Sequence, residues 1–193
     1  MPSVKWLISK KMVHWNLAAV VGVPGVGKTS LCRRASESLG YTYVNYGELM
    51  LELACERDLA HNLSELFKLN INIQHEIWRA AALKIKDKCN VLVDLHGIDH
   101  SKSGYILSLP IEILKPDIIV MIESSYDNII LRRQMDILKK QRIIENLKVF
   151  TEHNNLLKDS MAVCSVILGC NFIILDNNNF DNSLHQLKKV LDK

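Results

Sequence analysis

An α/β fold, with a parallel sheet covered by helices on both faces, is what this sequence predicts. Three observations carry the prediction. Five short apolar runs alternate with stretches of helical periodicity along 193 residues. A glycine-rich run, Gly22 to Thr29, sits between the first apolar run and the first helical pattern. The third apolar run ends in a carboxylate, Asp94. In such folds ligands gather at the carboxyl ends of the strands.

The elements follow in order. Leu17 to Val21 reads as a buried strand. Lys28 to Leu39 reads as a helix, with Leu31, Ala35 and Leu39 on one face and Gly40 as its stop. Tyr41 to Tyr46 is a second strand, and Glu48 to Asn70 is helical but irregular. Ile73 to Lys88 is a clearer helix, carrying Ile77, Ala80, Ala81 and Ile85 on one side. Asn90 to Asp94 is the third strand. His96 to Pro110, with Gly97, Gly104 and small polar residues, reads as a loop. Asp117 to Ile122 is the fourth strand, and Tyr126 to Asn146 a long charged helix. Glu152 to Leu168 is a helix closed by Gly169, Phe172 to Leu175 a fifth strand, and Leu184 to Leu191 the last helix. Asn177 to Asn179 reads as a turn.

Composition narrows the class. Hydrophobic residues make up 48% and charged residues 23%, as in an ordinary globular chain. The balance of 24 basic and 21 acidic side chains, net +3, argues against nucleic acid as a main partner. No apolar run approaches the roughly 18 residues of a membrane span. The five cysteines form no C-x-x-C pair, which suggests reduced thiols in a cytoplasmic protein. Residues 1–15 read as a basic N-terminal extension, with Met12 an alternative start, and 16–193 as a single domain. Trp6 to Ile8 is too short an apolar run for a signal peptide.

Gly22-Val-Pro-Gly-Val-Gly-Lys-Thr29 fits the phosphate-binding pattern G-x-x-x-x-G-K-[ST] without a gap. The glycines let backbone N–H groups turn inward around phosphate oxygens, and the following helix aims its positive end at the same anion. Gly22, Val23, Pro24, Gly25, Val26, Gly27, Lys28, Thr29 and Ser30 therefore form the expected ATP site, in a P-loop NTPase three-layer sandwich. Lys28 is expected to reach the β- and γ-phosphates, and the Thr29 hydroxyl to hold Mg²⁺. Asp94 is expected to join that metal site through water, or else to cap a helix or turn. His96 either orients phosphate or water or bonds within its loop. The trio His96, Asp99 and His100 lacks strict ligand spacing and is weak evidence for a metal. Arg132, Arg133, Lys139, Lys140 and Arg142 form the densest basic run. They read either as a solvated helix face or as cations that neutralise a transferred phosphoryl group.

Six segments in this order resemble the archaeal-type adenylate kinases. They are the Gly22 to Thr29 loop, Val44-Asn-Tyr-Gly-Glu-Leu-Met50, Asn90-Val-Leu-Val-Asp-Leu-His96, Gly104-Tyr-Ile-Leu-Ser-Leu-Pro110, Pro116-Asp-Ile-Ile-Val-Met-Ile-Glu123 and Ile130-Leu-Arg-Arg133. The resemblance runs from about Leu17 to the C-terminus, and Val166-Ile-Leu-Gly169 extends it. It implies reversible conversion of ATP and AMP to two ADP with Mg²⁺. Tyr46, Gly47, His96, Gly104 and Tyr105 would line the AMP side. Lys28, Asp94, Arg133 and Arg142 would be catalytic, with a lid after Asp136 and a small monophosphate-binding segment. Family members are commonly trimers, so a homotrimer is implied.

Two departures stand out. The lid pattern D-x-T-R-N-R is replaced by Asp136-Ile-Leu-Lys-Lys-Gln-Arg142, and lysine lacks the bidentate fork of arginine. Phe67 stands where the family carries an arginine toward the AMP phosphate. Val93-Asp-Leu-His-Gly-Ile-Asp99 also resembles the nuclear adenylate kinase/ATPase group linked to ribosome assembly. That likeness keeps open an ATPase acting as an assembly factor. A nucleotide sensor without turnover and a kinase of another small acceptor are the remaining alternatives.

Overall fold

The computed structural model describes residues 15–101, 104–136 and 146–192. A five-stranded parallel sheet runs through its centre. Its strands are β1 (Leu17–Val21), β2 (Thr42–Asn45), β3 (Val91–Asp94), β6 (Ile118–Glu123) and β7 (Asn171–Asp176), in the order β2-β3-β1-β6-β7. The three inner strands are almost continuously apolar, and β1 and β3 are buried at every position. A strand covered on both faces needs no polar alternation. The two edge strands are more exposed, with only Leu175 of β7 counted among the core.

The sheet is joined by α1 (Lys28–Leu39), α2 (Tyr46–Glu56), α3 (Leu63–Leu66), α4 (Ile71–Ile85), α5 (Tyr126–Asp136), α6 (Leu147–Leu168) and α7 (Phe180–Leu191). Asparagine starts many of them. Asn45, Asn62, Asn70, Asn146 and Asn179 each accept a backbone N–H from the first turn of α2, α3, α4, α6 and α7. An asparagine side chain satisfies donors that the first helical turn leaves open. Helix α1 is different. It begins at Gly27, a left-handed residue that supplies no side-chain cap. The amides of its first turn are thereby left for an external anion. At their C-termini α1 and α6 stop at Gly40 and Gly169, both left-handed.

Several expectations need correction. The segment expected as one irregular helix from 48 to 70 is two helices, α2 and α3, divided by a turn that contains left-handed Asp58. Helix α6 begins five residues before Glu152, at the Asn146 cap. The long helix expected to Asn146 is helical from Tyr126 to Asp136; residues 137–145 lie outside the described residues, and Asn146 is the cap of α6. The expected loop from His96 to Pro110 contains an antiparallel hairpin, β4 (Ile98–Ser101) with β5 (Gly104–Leu107). Glycine and small polar residues hide a period-two pattern there, since only alternate positions need to be apolar.

Gly97 lets the chain leave β3 and enter this hairpin. Its φ is +88°, and a Cβ there would sit 2.7 Å from Leu157 Cδ1 and 3.1 Å from Val21 Cβ. Leu157 is fully buried in the core. The turn and α6 thus meet with no room for a methyl group. Gly97→Ala is expected to cost about 1–3 kcal/mol through strain and overpacking, read as a lower urea midpoint. An unchanged midpoint would contradict this packing.

Candidate active site

The glycine-rich loop follows β1 and is pinned from several sides. Gly22 N–H donates to His96 O at 3.2 Å, across to the end of β3. Val23 and Val26 are buried and anchor the loop in the core. Gly25 and Gly27 are left-handed, at φ +96° and +92°, so their backbone turns inward where a β-carbon would be strained. Lys28 is only 6% exposed, and its ammonium donates to Gly22 O at 2.5 Å and Val23 O at 3.3 Å. A buried cation held against its own loop is a centre of positive charge for an anionic ligand.

Asp94 lies beside the loop because β3 pairs with β1, with Val20 opposite Asp94. The carboxylate is 5% exposed. Its Oδ2 accepts the Thr29 hydroxyl at 2.7 Å and the Tyr43 hydroxyl at 3.2 Å. Burial, then the Asp94 charge, raises the Tyr43 phenol above its ordinary value. It therefore remains a donor across neutral pH. The Thr29 hydroxyl and Asp94 carboxylate are hard oxygen donors side by side, a set that suits Mg²⁺ and not a soft metal. Among the described residues no cluster of three His, Cys, Asp or Glu forms an all-protein metal cage.

The basic run divides. Arg132 and Arg133, near the end of α5, turn onto the loop. Arg132 donates to Val26 O at 3.0 Å, Asn177 O at 2.6 Å and Ser124 Oγ at 3.3 Å. Arg133 is 3% exposed and donates to Pro24 O through Nε at 3.1 Å and Nη2 at 2.8 Å. For this pair the solvated-face reading is wrong, because the loop carbonyls offer acceptors that an exposed helix face does not. Lys139, Lys140 and Arg142 lie outside the described residues.

Asn177, expected as part of a simple turn, is 1% exposed and reaches back to the loop. Its Nδ2 donates to Val26 O at 2.6 Å, and a Cβ on Gly27 would sit 2.5 Å from that nitrogen. Sequence reasoning missed it, although its position just past β7, at the carboxyl edge of the sheet, was the available signal. Tyr43 was missed as well.

His96 Nδ1 lies 2.6 Å from Asp99 Oδ1, both side chains 40% exposed. Burial acts to raise the Asp99 carboxyl. The His96 hydrogen bond and charge, helped by Ser108 and Lys28, overcome it and hold the group below its ordinary 3.8. Of the residues expected on the AMP side, Tyr46 is 3% exposed, and its hydroxyl donates to Trp78 O at 2.6 Å. That bond ties α2 to α4, so the hydroxyl is spent on packing. Gly47 follows in the first turn of α2. Gly104 and Tyr105 form the start of β5, and the Tyr105 ring lies 5.4 Å from that of His153. Phe67, at the end of α3, is 48% exposed.

A family model described as "AAA domain" matches residues 21–151. The adenylate kinase homolog of Methanothermobacter thermautotrophicus is 49% identical over 90% of this chain and 91% of its own length. The adenylate kinase of Methanopyrus kandleri is 36% identical over 82% of this chain and 87% of its own. Among solved structures, shikimate kinase from Acinetobacter baumannii, in complex with shikimate, superposes with a TM-score of 0.60. It is 16% identical and covers 92% of this chain and 94% of that one, a likeness of fold.

Two outcomes are expected. Asn177→Ala removes the Nδ2 bond and leaves Val26 O to Arg132 alone, so stability should fall by about 1 kcal/mol in chemical denaturation. Asp99 has a folded pKa below its unfolded one. Its stabilising contribution is full above the ordinary 3.8 and fades as pH falls through the lowered folded value. Asp99→Asn should therefore lower stability at neutral pH and flatten the acid limb of the stability profile as pH falls through and below the ordinary carboxylate range. An acid limb unchanged in the variant would show that the pair is not coupled to folding.

Proposed function

The chain belongs to the archaeal-type adenylate kinases, and on that premise we propose that it transfers a phosphoryl group reversibly from ATP to AMP, giving two ADP. The observation that carries this reading is the intact phosphate loop with Lys28 at its centre and the Thr29–Asp94 pair at its edge. The relatives named adenylate kinase supply the acceptor.

In this mechanism the backbone amides of Gly25 to Thr29 and the open first turn of α1 hold the ATP phosphates. Lys28 exchanges its loop carbonyls for β- and γ-phosphate oxygens. Thr29 and Asp94 would hold Mg²⁺, Asp94 through water. When bound, the ion would neutralise charge on the phosphates and orient them. The AMP phosphate oxygen forms the new bond to the γ-phosphorus, and the bond from that phosphorus to the β-phosphate bridging oxygen breaks. The acceptor oxygen is already anionic at neutral pH, so no general base is required. The work is positioning and charge stabilisation. Arg132 and Arg133 are poised against Val26 and Pro24 to follow the charge as it spreads. Gly47 at the start of α2 and Gly104 and Tyr105 on β5 would line the acceptor side. The proposed setting is the cytoplasm, where exposed thiols such as Cys55 and Cys89 stay reduced.

A second reading, ATP hydrolysis, rests on the His96–Asp99 pair. With Nδ1–H donated to Asp99, the other ring nitrogen is free to accept a proton from water. The acceptor-side hydroxyl of Tyr46 and the missing arginine at Phe67 add to it, since both leave fewer groups for AMP.

The test is coupled ADP formation with AMP, CMP, GMP and UMP as acceptors, beside an acceptor-free control. AMP-dependent ADP formation is expected, with Lys28→Ala lowering kcat by about 100- to 1000-fold. Acceptor-free hydrolysis that His96→Ala abolishes, with no response to AMP, would replace the kinase reading with the second one.

A further inference from the structure

Two hydroxyls converge on one oxygen of Asp94. Thr29 comes from the first turn of α1, directly behind the phosphate loop. Tyr43 comes from β2, at the edge of the sheet. The register pairs Asn45 with Asp94 and Tyr43 with Leu92. Tyr43 is therefore two residues back on the same face of the sheet as Asp94. A short side chain at that diagonal would fall short; a tyrosine reaches. The ring is held in place from α1, where the Arg33 guanidinium lies 5.6 Å from its centroid. Arg33 in turn stands 3.8 Å from Glu48 in the first turn of α2. Arg33 and Glu48 are more than half exposed, so their pair adds orientation and little energy.

We propose that Tyr43 is a positioning residue for the metal site: its hydroxyl holds the Asp94 carboxylate in the orientation that receives nucleotide-bound Mg²⁺. The inference rests on the Thr29–Asp94 metal site proposed above. Thr29 would have two tasks there, since its oxygen would ligate the metal while its hydrogen donates to Asp94. A carboxylate held only by Thr29 would shift whenever Thr29 shifts toward the ion. The Tyr43 donor comes from a different element, the edge strand β2. It keeps Asp94 fixed while Thr29 adjusts. A carboxylate with one oxygen pinned by two donors also loses less rotational freedom when the ion arrives.

The experiment is calorimetric binding of the non-hydrolysable analogue adenylyl imidodiphosphate, with Mg²⁺ and with chelator, to the wild-type chain, Tyr43→Phe and Asp94→Asn. The ratio of the two affinities isolates the metal contribution without turnover. Tyr43→Phe removes the hydroxyl alone and keeps the ring under Arg33. It should leave chelator binding unchanged and reduce the Mg²⁺-dependent gain by about 3- to 10-fold, within the net range of a typical intramolecular hydrogen bond. In activity assays kcat should fall at limiting Mg²⁺ and recover when Mg²⁺ is raised, with the AMP KM unchanged. A Tyr43→Phe gain equal to or above wild type, while Asp94→Asn loses its gain, would overturn the Tyr43 role and leave the metal site standing. If Asp94→Asn also keeps the full gain, the metal site itself is refuted and the inference falls with it. A lower melting temperature with an unchanged Mg²⁺ ratio would assign Tyr43 to packing and count against the proposal.

Discussion

The 2.7 Å hydrogen bond from Thr29 to Asp94 joins residues 65 positions apart, and it depends on β1 and β3 lying side by side. Both strands are buried over their whole length, so their apolar side chains hold them in the middle of the sheet. Parallel pairing then brings their carboxyl ends to the same edge. The phosphate loop leaves from one strand and the carboxylate ends the other. Gly22 N–H to His96 O fastens the same two chain segments a second time. Burial drives the arrangement, and the polar contacts at the edge fix its register.

Around that junction the loop is braced by chain that arrives from far away. Val26 O receives Arg132 from α5 and Asn177 from the turn after β7, 106 and 151 residues distant. Pro24 O receives both Nε and Nη2 of Arg133. These carbonyls point outward because the loop turns its amides inward, a consequence of left-handed Gly25 and Gly27. Carbonyls shielded from water require donors, and Val26 is fully buried. Supplying them with arginine places two cations at the rim of an anion site without any further element. The same bonds join the loop to α5, whose chain continues into residues 137–145. Structural bracing and charge delivery are therefore the work of the same two side chains.

The side proposed to receive the acceptor is built differently. Tyr46 is buried with its hydroxyl on Trp78, which ties α2 to α4. The hairpin of β4 and β5 stands on Gly97, which α6 packs against through Leu157. An exposed Phe67 occupies the ground where the family resemblance leads one to expect a cation.

Much of the fold was legible in the chain. Helix α1 matches its expected bounds because Gly27 and Gly40 are local signals that no distant contact overrides. The inner strands were legible as unbroken apolar runs, and the phosphate loop as a pattern of glycine, lysine and threonine. The hairpin was not, because its glycines and polar residues resemble a loop until backbone pairing is seen. Nor were the partners of Asp94 and Val26. Tyr43 looks like an ordinary strand residue, Asn177 is marked only by its place just past β7, and the basic run holding Arg132 reads equally as a solvated helix face. Sequence by itself determined the elements whose causes are local: propensity, glycine conformation and apolar periodicity. Only tertiary structure decided that Tyr43 and Asn177 join Asp94 and the arginines around the loop, and that Arg132 and Arg133 turn onto its carbonyls, because strand order sets those distances and strand order is a property of the whole core.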